Sequence, residues 1–218
     1  MEPFIEFILV RHGETVANDA GVIQGQSESE LSERGRGQAH ATAEALRGVH
    51  FDACYASDLK RAMDTAQIIL AAGHEGLEAR PERGLREWDL GDWVGHTMPE
   101  IRAAYPGLIP GFTDLGADVQ IPGGESRAEF QARVSRTLER IAAESRPGWR
   151  VLVVTHGGAL RMAIVRFYGR PGPGVVAPRV DNASMTTAHY FPASGRWRLV
   201  SWNCLPPRQS DDPPREPT

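Results

Sequence analysis

Two histidines in the 218-residue chain stand at matching places. His12 follows the apolar run Phe4 to Val10, and His156 follows Val151-Leu152-Val153-Val154; a glycine succeeds each at once. Polar side chains at the end of a buried strand pack badly but are well placed for chemistry, because ligands of open α/β sheets sit outside the carboxyl ends of the strands. The adjoining glycine lets the backbone turn sharply and approach a ligand. Alone, Arg11-His12-Gly13 is an ordinary polar turn; its echo in Thr155-His156-Gly157-Gly158 gives it weight. Arg61 stands in the first turn of an expected helix, where the helix dipole disfavours a cation unless an anion lies between them. Arg11, Arg61, His12 and His156 together suit a phosphate group, since a planar guanidinium holds two oxygens at once. Backbone N–H groups at the start of the helix after His156 would add anion donors. A neutral imidazole among cations is a nucleophile at physiological pH. One histidine can therefore take the phosphoryl group while the other, with the arginines, stabilises its equatorial oxygens. The leaving alcohol then needs a proton. A carboxyl partly buried beside phosphate can supply it, and Glu87 is the candidate, with Asp89 as its rival.

These groups converge only if the elements beneath them form one sheet. After the first strand, Glu14 to Glu30 reads as a long polar loop that carries Asn18, Gln24 and Gly25 above the strand end. Ser32 caps a helix from Glu33 to Leu46, weakened early by Gly35 and Gly37. Phe51 to Ala56 is a short strand, and Ser57 or Asp58 caps a helix from Leu59 to Ala72. Leu77 to Arg80 reads as a strand and Met98 to Tyr105 as a helix, with Pro106 to Gly124 irregular. Residues 85–125 look like an insertion covering one end of the sheet, and ordered loops of that length are usually functional. Ser126-Arg127-Ala128-Glu129 is a capping box that opens a helix to about Glu144. Ala159 to Phe167 forms a helix straight after the second His-Gly. Strands Met185 to Phe191 and Trp197 to Trp202 are joined by an Ala193-Ser194-Gly195 turn. The alternation implies an α/β fold: a three-layer α/β/α sandwich around a mainly parallel sheet, the two histidines on one edge. We divide the chain into one domain, residues 1–205, and a Pro-rich, charged, disordered tail, 206–218.

Composition narrows the function classes. Hydrophobic residues make up 41%, enough for a real core. A net charge of -4 argues against general nucleic-acid or anionic-membrane partners, so any anion site is local. Cys54 and Cys204 make neither a metal spacing nor a disulfide framework, and Cys54 reads as a small buried hydrophobe. No run approaches the ~18 apolar residues of a membrane span, and a cytoplasmic protein is expected. His40, His50, His74 and His96 are expected in solvent. His189 is expected to be structural, Glu14 to pair with an arginine, and Asn182 and Ser184 either to approach the site or to make a turn.

Together these motifs resemble the histidine phosphatase superfamily, also called the phosphoglycerate mutase-like family. Leu9-Val10-Arg11-His12-Gly13-Glu14-Thr15 matches its Arg-His-Gly signature, and Val154-Thr155-His156-Gly157-Gly158 its later histidine. Ser57-Asp58-Leu59-Lys60-Arg61-Ala62 matches the segment with the second phosphate-pocket arginine. Leu85-Arg86-Glu87 with Gly91-Asp92-Trp93-Val94-Gly95 matches the segment with the general acid. Four motifs in order over residues 5 to 202 make a specific signal. The resemblance implies that His12 becomes phosphorylated and that Arg11, Arg61 and His156 hold the phosphate. It makes Glu87 the proton donor and sets Asn18, Gln24, Gly25 and Gly157 beside the phosphate or leaving group. It also implies a small-molecule phosphomonoester as substrate, no metal or other cofactor, and a homodimer by family habit.

Three functions fit that resemblance: a phosphatase, a cofactor-dependent phosphoglycerate mutase, or a non-catalytic phosphoprotein-binding module. The mutases of the family carry an adjacent arginine pair in the insertion. Between Glu87 and Glu125 this chain has only Arg102 and no lysine, and Gly157-Gly158 replaces the usual Gly-Asn. Fewer cations favour transfer to water. The intact set His12, Arg11, Arg61, Glu87 and His156 speaks against a purely binding role. Trp88, Trp93 and Tyr105 are candidates to face an organic leaving group, although packing of the insertion accounts for Trp93 as well.

Overall fold

The computed structural model describes residues 2–207; most of the expected tail, residues 208–218, lies outside them. Six strands form one sheet: β1 (Ile5–Arg11), β2 (Ala53–Ala56), β3 (Ala79–Pro81), β4 (Arg150–Thr155), β5 (Met185–Phe191) and β6 (Arg196–Cys204). Their order is β3-β2-β4-β1-β5-β6. The first four run parallel, while β5 and β6 return antiparallel. Strands buried on both faces read as continuous apolar runs, and β1 and β4 are such strands. Phe7, Leu9, Val151 and Val153 enter one core cluster, while Ile8, Val10, Leu152 and Val154 enter the other.

Helices cover both faces. On one lie α2 (Glu33–Leu46) and α3 (Lys60–Leu70), after the four-residue α1 (Val16–Asp19). On the other lie α6 (Arg127–Glu144) and α7 (Gly157–Tyr168); the segment before α6 contains α4 (Met98–Ala104) and α5 (Ile109–Thr113). The α/β expectation is met. The Ser126 box forms as read, its Oγ accepting from Glu129 N and Glu129 returning to Ser126 N.

Four local expectations need correction. The loop after β1 contains α1, closed by a reciprocal box between Thr15 and Asn18. The stretch expected to be irregular holds α5, with Pro110 in its first turn, where proline's missing N–H costs nothing. The third strand starts at Ala79 rather than Leu77, because the Leu77 amide turns back to the His74 carbonyl. His74 is not in solvent: it is 9% exposed and packs on Phe51 at 5.2 Å between ring centroids.

The helix start at Gly35 also gains a reason. Gly35 sits against the backbone of Gly13 and Glu14, and a Cβ there would collide with the Glu14 carbonyl. That contact lays the signature turn on the first turn of α2. Glu14 then pairs with Arg34 at 3.0 Å and accepts from Ser32 Oγ at 2.9 Å.

Candidate active site

Parallel pairing sets Arg11 opposite Thr155, so the next residues of β1 and β4, His12 and His156, leave the sheet side by side. Their ring centroids lie 5.0 Å apart, nearly edge to face at 62°. His12 is 3% exposed and His156 fully buried. Nδ1 of His12 lies 2.7 Å from the Gly13 carbonyl. A carbonyl only accepts, so Nδ1 carries the proton and Nε2 keeps its lone pair. Burial, with Arg61 and then Arg11 nearby, holds the His12 pKa well below the ordinary histidine value. The imidazole is therefore neutral, with a free nitrogen, at physiological pH.

Arg61 comes from α3 and is 1% exposed. Its Nε donates to His156 Nδ1 at 3.3 Å, Nη1 to Ser27 O at 2.7 Å and Nη2 to Gly25 O at 2.8 Å. Because Arg61 donates to Nδ1 of His156, the ring's proton sits on Nε2 and goes to Ser57 Oγ at 2.8 Å. Burial and Arg61 hold His156 neutral too. This corrects the expected cap of α3. Ser57 turns to His156, Asp58 pairs with Arg86 at 2.7 Å, and the helix starts at Lys60 with Leu59 in the cap position. The exposed first-turn amide of Lys60 is met instead by Glu28 Oε2 at 3.1 Å. Thr65 locks the corner, accepting from Gly13 N at 3.1 Å and donating to Arg61 O at 2.8 Å.

Arg11 donates to Val180 O at 2.6 Å, and its Nε is buried without a partner among the described residues. Burial brings its pKa down to about 10. Behind β1, Asn182 Nδ2 donates to His12 O at 3.1 Å and to Asn18 Oδ1 at 3.3 Å. Ala183, at φ 56°, donates to the Arg11 and His12 carbonyls. Asn182 and Ala183 thus serve as both turn and support for the strand end.

Glu87 approaches from the covering segment. Its Oε2 accepts from Gly158 N at 2.9 Å and its Oε1 from Trp88 N at 2.9 Å. The positive end of α7 faces that carboxylate, so the Gly158 N–H expected to await an anion is already spent on Glu87. A cavity of about 360 Å³ is lined by Arg11, His12, Asn18, Gln24, Gly25, Arg61, Glu87 and Gly158, together with Trp88, Arg127 and Arg161. Among the described residues the buried Oε1 of Gln24 has no partner. His156 and Gly157 lie behind this wall rather than on it. His156 acts on the cavity by holding Arg61, while Gly157 lies beside the Arg11 guanidinium.

Asp89 faces elsewhere. Its Oδ1 accepts from Gly91 N, and it lines a separate open groove with Glu125 and Arg133. Trp93 is fully buried against Phe112 and Tyr105, which makes it a packing residue. Trp88 does both jobs: it stacks between Phe112 and Phe130, and it lines the cavity. His189 stacks on Phe4 at 3.9 Å as a structural residue. Arg127 and Arg161 are cavity residues that the motifs do not mark. A signal existed for Arg161, which follows the cavity residue Gly158 by three positions and so shares its helix face.

The model of the histidine phosphatase superfamily, branch 1, matches residues 7–205. The chain belongs to that superfamily. It is 39% identical over 200 residues to the metal-independent phosphoserine phosphatase of Arabidopsis thaliana, covering 91% of this chain and 81% of that one. It is 37% identical over 221 residues to the glucosyl-3-phosphoglycerate phosphatase of Mycobacterium tuberculosis, covering 94% and 96%. Among solved structures, Bacillus stearothermophilus YhfR superposes with a TM-score of 0.84 at 28% identity, covering 92% and 98%. A mycobacterial glucosyl-3-phosphoglycerate phosphatase in complex with VO3 superposes at 0.79 and 35% identity, covering 91% and 98%. This chain is a histidine phosphatase, a phosphoric monoester hydrolase, and the mutase reading is the weaker one. Among the described residues no helix is long and apolar enough to cross a membrane, and no three His, Cys, Asp or Glu side chains group to hold a metal ion.

Proposed function

We propose that this histidine phosphatase hydrolyses small organic phosphomonoesters, of the sugar phosphate or phosphoglycerate type, through a phosphohistidine on His12. The tautomer of His12 carries the reading: Nδ1–H is committed to Gly13 O, so Nε2 offers its lone pair to the cavity. In the first step Nε2 bonds to phosphorus as the ester P–O bond breaks, and Glu87 donates its proton to the departing alkoxide. In the second, Glu87 takes a proton from water, whose oxygen attacks phosphorus as the P–Nε2 bond breaks. Arg11 and Arg61 hold the equatorial oxygens throughout, while Asn18, Gln24 and Gly25 flank them on the cavity wall. His156 orients Arg61, and Gly157 lies beside Arg11.

A 32P-labelled substrate, quenched within milliseconds, is expected to leave acid-labile label on the wild-type protein and none on His12→Ala. Hydrolysis that survives His12→Ala would sink the mechanism. Interconversion of 3- and 2-phosphoglycerate as fast as hydrolysis would restore the mutase reading.

The surroundings of the site belong to the same proposal. Residues 1–205 act as one domain with a cap at 85–125; cap residues Trp88, Trp93, Ile101 and Ile121 enter the core cluster beside α6 and α7. Two unpaired cysteines, one buried and one exposed, suit the reducing cytoplasm. A homodimer remains part of the reading: edge strand β6 presents Val200 at 51% exposure, and sedimentation velocity tests it.

A further inference from the structure

Four arginines line the cavity, Arg11, Arg61, Arg127 and Arg161, and Glu87 is the one carboxylate among its lining residues. Among the described residues none of these arginines forms an ion pair, whereas Arg34, Arg86, Arg133 and Arg166 elsewhere each do. Four guanidiniums against one carboxyl group, neutral when it carries the proton it donates, leave at least three positive charges on the wall of a chain whose net charge is -4. A phosphomonoester brings about -1.5 to -2 at neutral pH. At least one positive charge is left over, enough for a carboxylate.

Arg127 and Arg161 carry the surplus beyond the phosphate-holding pair Arg11 and Arg61. Arg127 is 3% exposed and lies over the Trp88 ring at 4.9 Å, with Nη2 tied to the Gly111 and Phe112 carbonyls and Nε buried without a partner among the described residues. It is pinned in place against the cap. Arg161 is different. Among the described residues only its Nε is engaged, donating to Pro178 O at 3.0 Å, and the two terminal nitrogens have no partner. The cavity it shares is otherwise walled largely by apolar side chains, Trp88, Phe112, Phe130, Met162, Val176 and Ala177. A guanidinium held by one bond among apolar side chains, with its fork open to the cavity, is a carboxylate receptor by geometry. Anchoring the Pro178 loop alone would need one N–H and no charge.

We propose that Arg161 is the specificity residue of this site, and that its fork holds a carboxylate on the leaving alcohol, so the preferred substrates are phosphomonoesters of small hydroxy acids. The proposal rests on the phosphatase reading and narrows it. Carboxylate binding would also draw the alcohol oxygen toward Glu87.

The test compares two esters of the same carbon chain, 3-phosphoglycerate and glycerol phosphate, which differ by a carboxylate against a hydroxymethyl group. Wild type is expected to prefer 3-phosphoglycerate in kcat/KM, mainly through KM. Arg161→Gln is expected to shrink that preference by about 10- to 100-fold, the usual worth of a charge-assisted bond, and Arg161→Lys to restore part of it. Should Arg161→Gln not fold, wild type alone decides, with glycerate expected to inhibit competitively at far lower concentration than glycerol. A preference ratio that Arg161→Gln leaves unchanged overturns the proposal, as does equal inhibition by glycerate and glycerol. In both cases hydrolysis of p-nitrophenyl phosphate by the wild type would leave the phosphatase reading standing. Failure to hydrolyse any of the three esters would remove both.

Discussion

The Gly158 amide holds Glu87 at the mouth of α7, and no side chain fits between them. The N–H donates to Oε2 at 2.9 Å, while a Cβ on Gly158 would collide with Oε1. Gly157, next door, has room: a Cβ there would meet Arg11 Nε at 3.4 Å, an ordinary contact. The two glycines that look alike in the sequence are therefore unequal. Gly158→Ala is expected to swing Glu87 aside and lower kcat by about 100-fold, the usual cost of a displaced catalytic group. Gly157→Ala is expected to lose less than about 10-fold on the same scale. Both should melt within a few degrees of wild type, since the far end of a flexible side chain gives way. Steady-state kinetics with thermal melts on the pair settles it; equal losses would place the role of Gly158 elsewhere.

Glu87 and Asp89 differ in what they touch, and the leaving group can tell them apart. Only Glu87 lines the cavity with His12, while Asp89 caps Gly91. Glu87→Gln is expected to cut hydrolysis of an alkyl phosphate by about 10²- to 10⁴-fold. The loss on p-nitrophenyl phosphate should be far smaller, because nitrophenolate leaves without a proton. Asp89→Asn keeps the oxygen that caps Gly91 and should stay within a few-fold of wild type on both substrates. Equal losses on the two esters for Glu87→Gln would argue against proton donation.

Much of this site could be read from residue order alone, because β1 and β4 are buried on both faces and each ends in a histidine that packing cannot explain. Parallel pairing then brings His12 and His156 together without further information. What stayed hidden was how each polar atom is spent. Ser57 read as a helix cap, since Ser before a helix usually is one; only the fold brings it to His156, 99 positions away. His156 read as a phosphate ligand, yet both its nitrogens face protein partners. Arg127 read as the first residue of a capped helix, and its stacking on Trp88 depends on a tertiary contact that no local pattern encodes. His74 read as solvated because its burial against Phe51 comes from the packing of the turn after α3.

Ser57 carries its own prediction. Its Oγ is the acceptor that fixes His156 with the proton on Nε2, leaving Nδ1 for Arg61. Ser57→Ala strands a buried N–H and should cost about 1–3 kcal/mol of stability. The ring is then free to rotate away from Arg61, so kcat is expected to fall as well, while Ser57→Thr keeps an oxygen and should recover part of both. Chemical denaturation gives the first quantity and steady-state kinetics the second. Full activity in a destabilised Ser57→Ala protein would confine His156 to packing.

Acid should loosen this fold before the carboxylates titrate. His12 and His156 are both held below the ordinary histidine pKa, chiefly by burial and then by Arg61. Below about pH 6.5 the unfolded chain takes up protons at these histidines, but the folded chain does not. Their contribution to stability is complete above that pH and is lost as pH falls toward the depressed folded values. Each proton adds a slope of about 1.4 kcal/mol per pH unit. His74 and His189, also lowered by burial, add to the same trend. Urea denaturation at pH 7.5, 6.5 and 5.5 is expected to give falling stability, with a shallower fall for His12→Gln, which removes one titrating ring. Stability that stays flat down to pH 5.5 would mean that the two rings take up protons in the folded protein as readily as in the unfolded chain, and that burial does not hold His12 neutral.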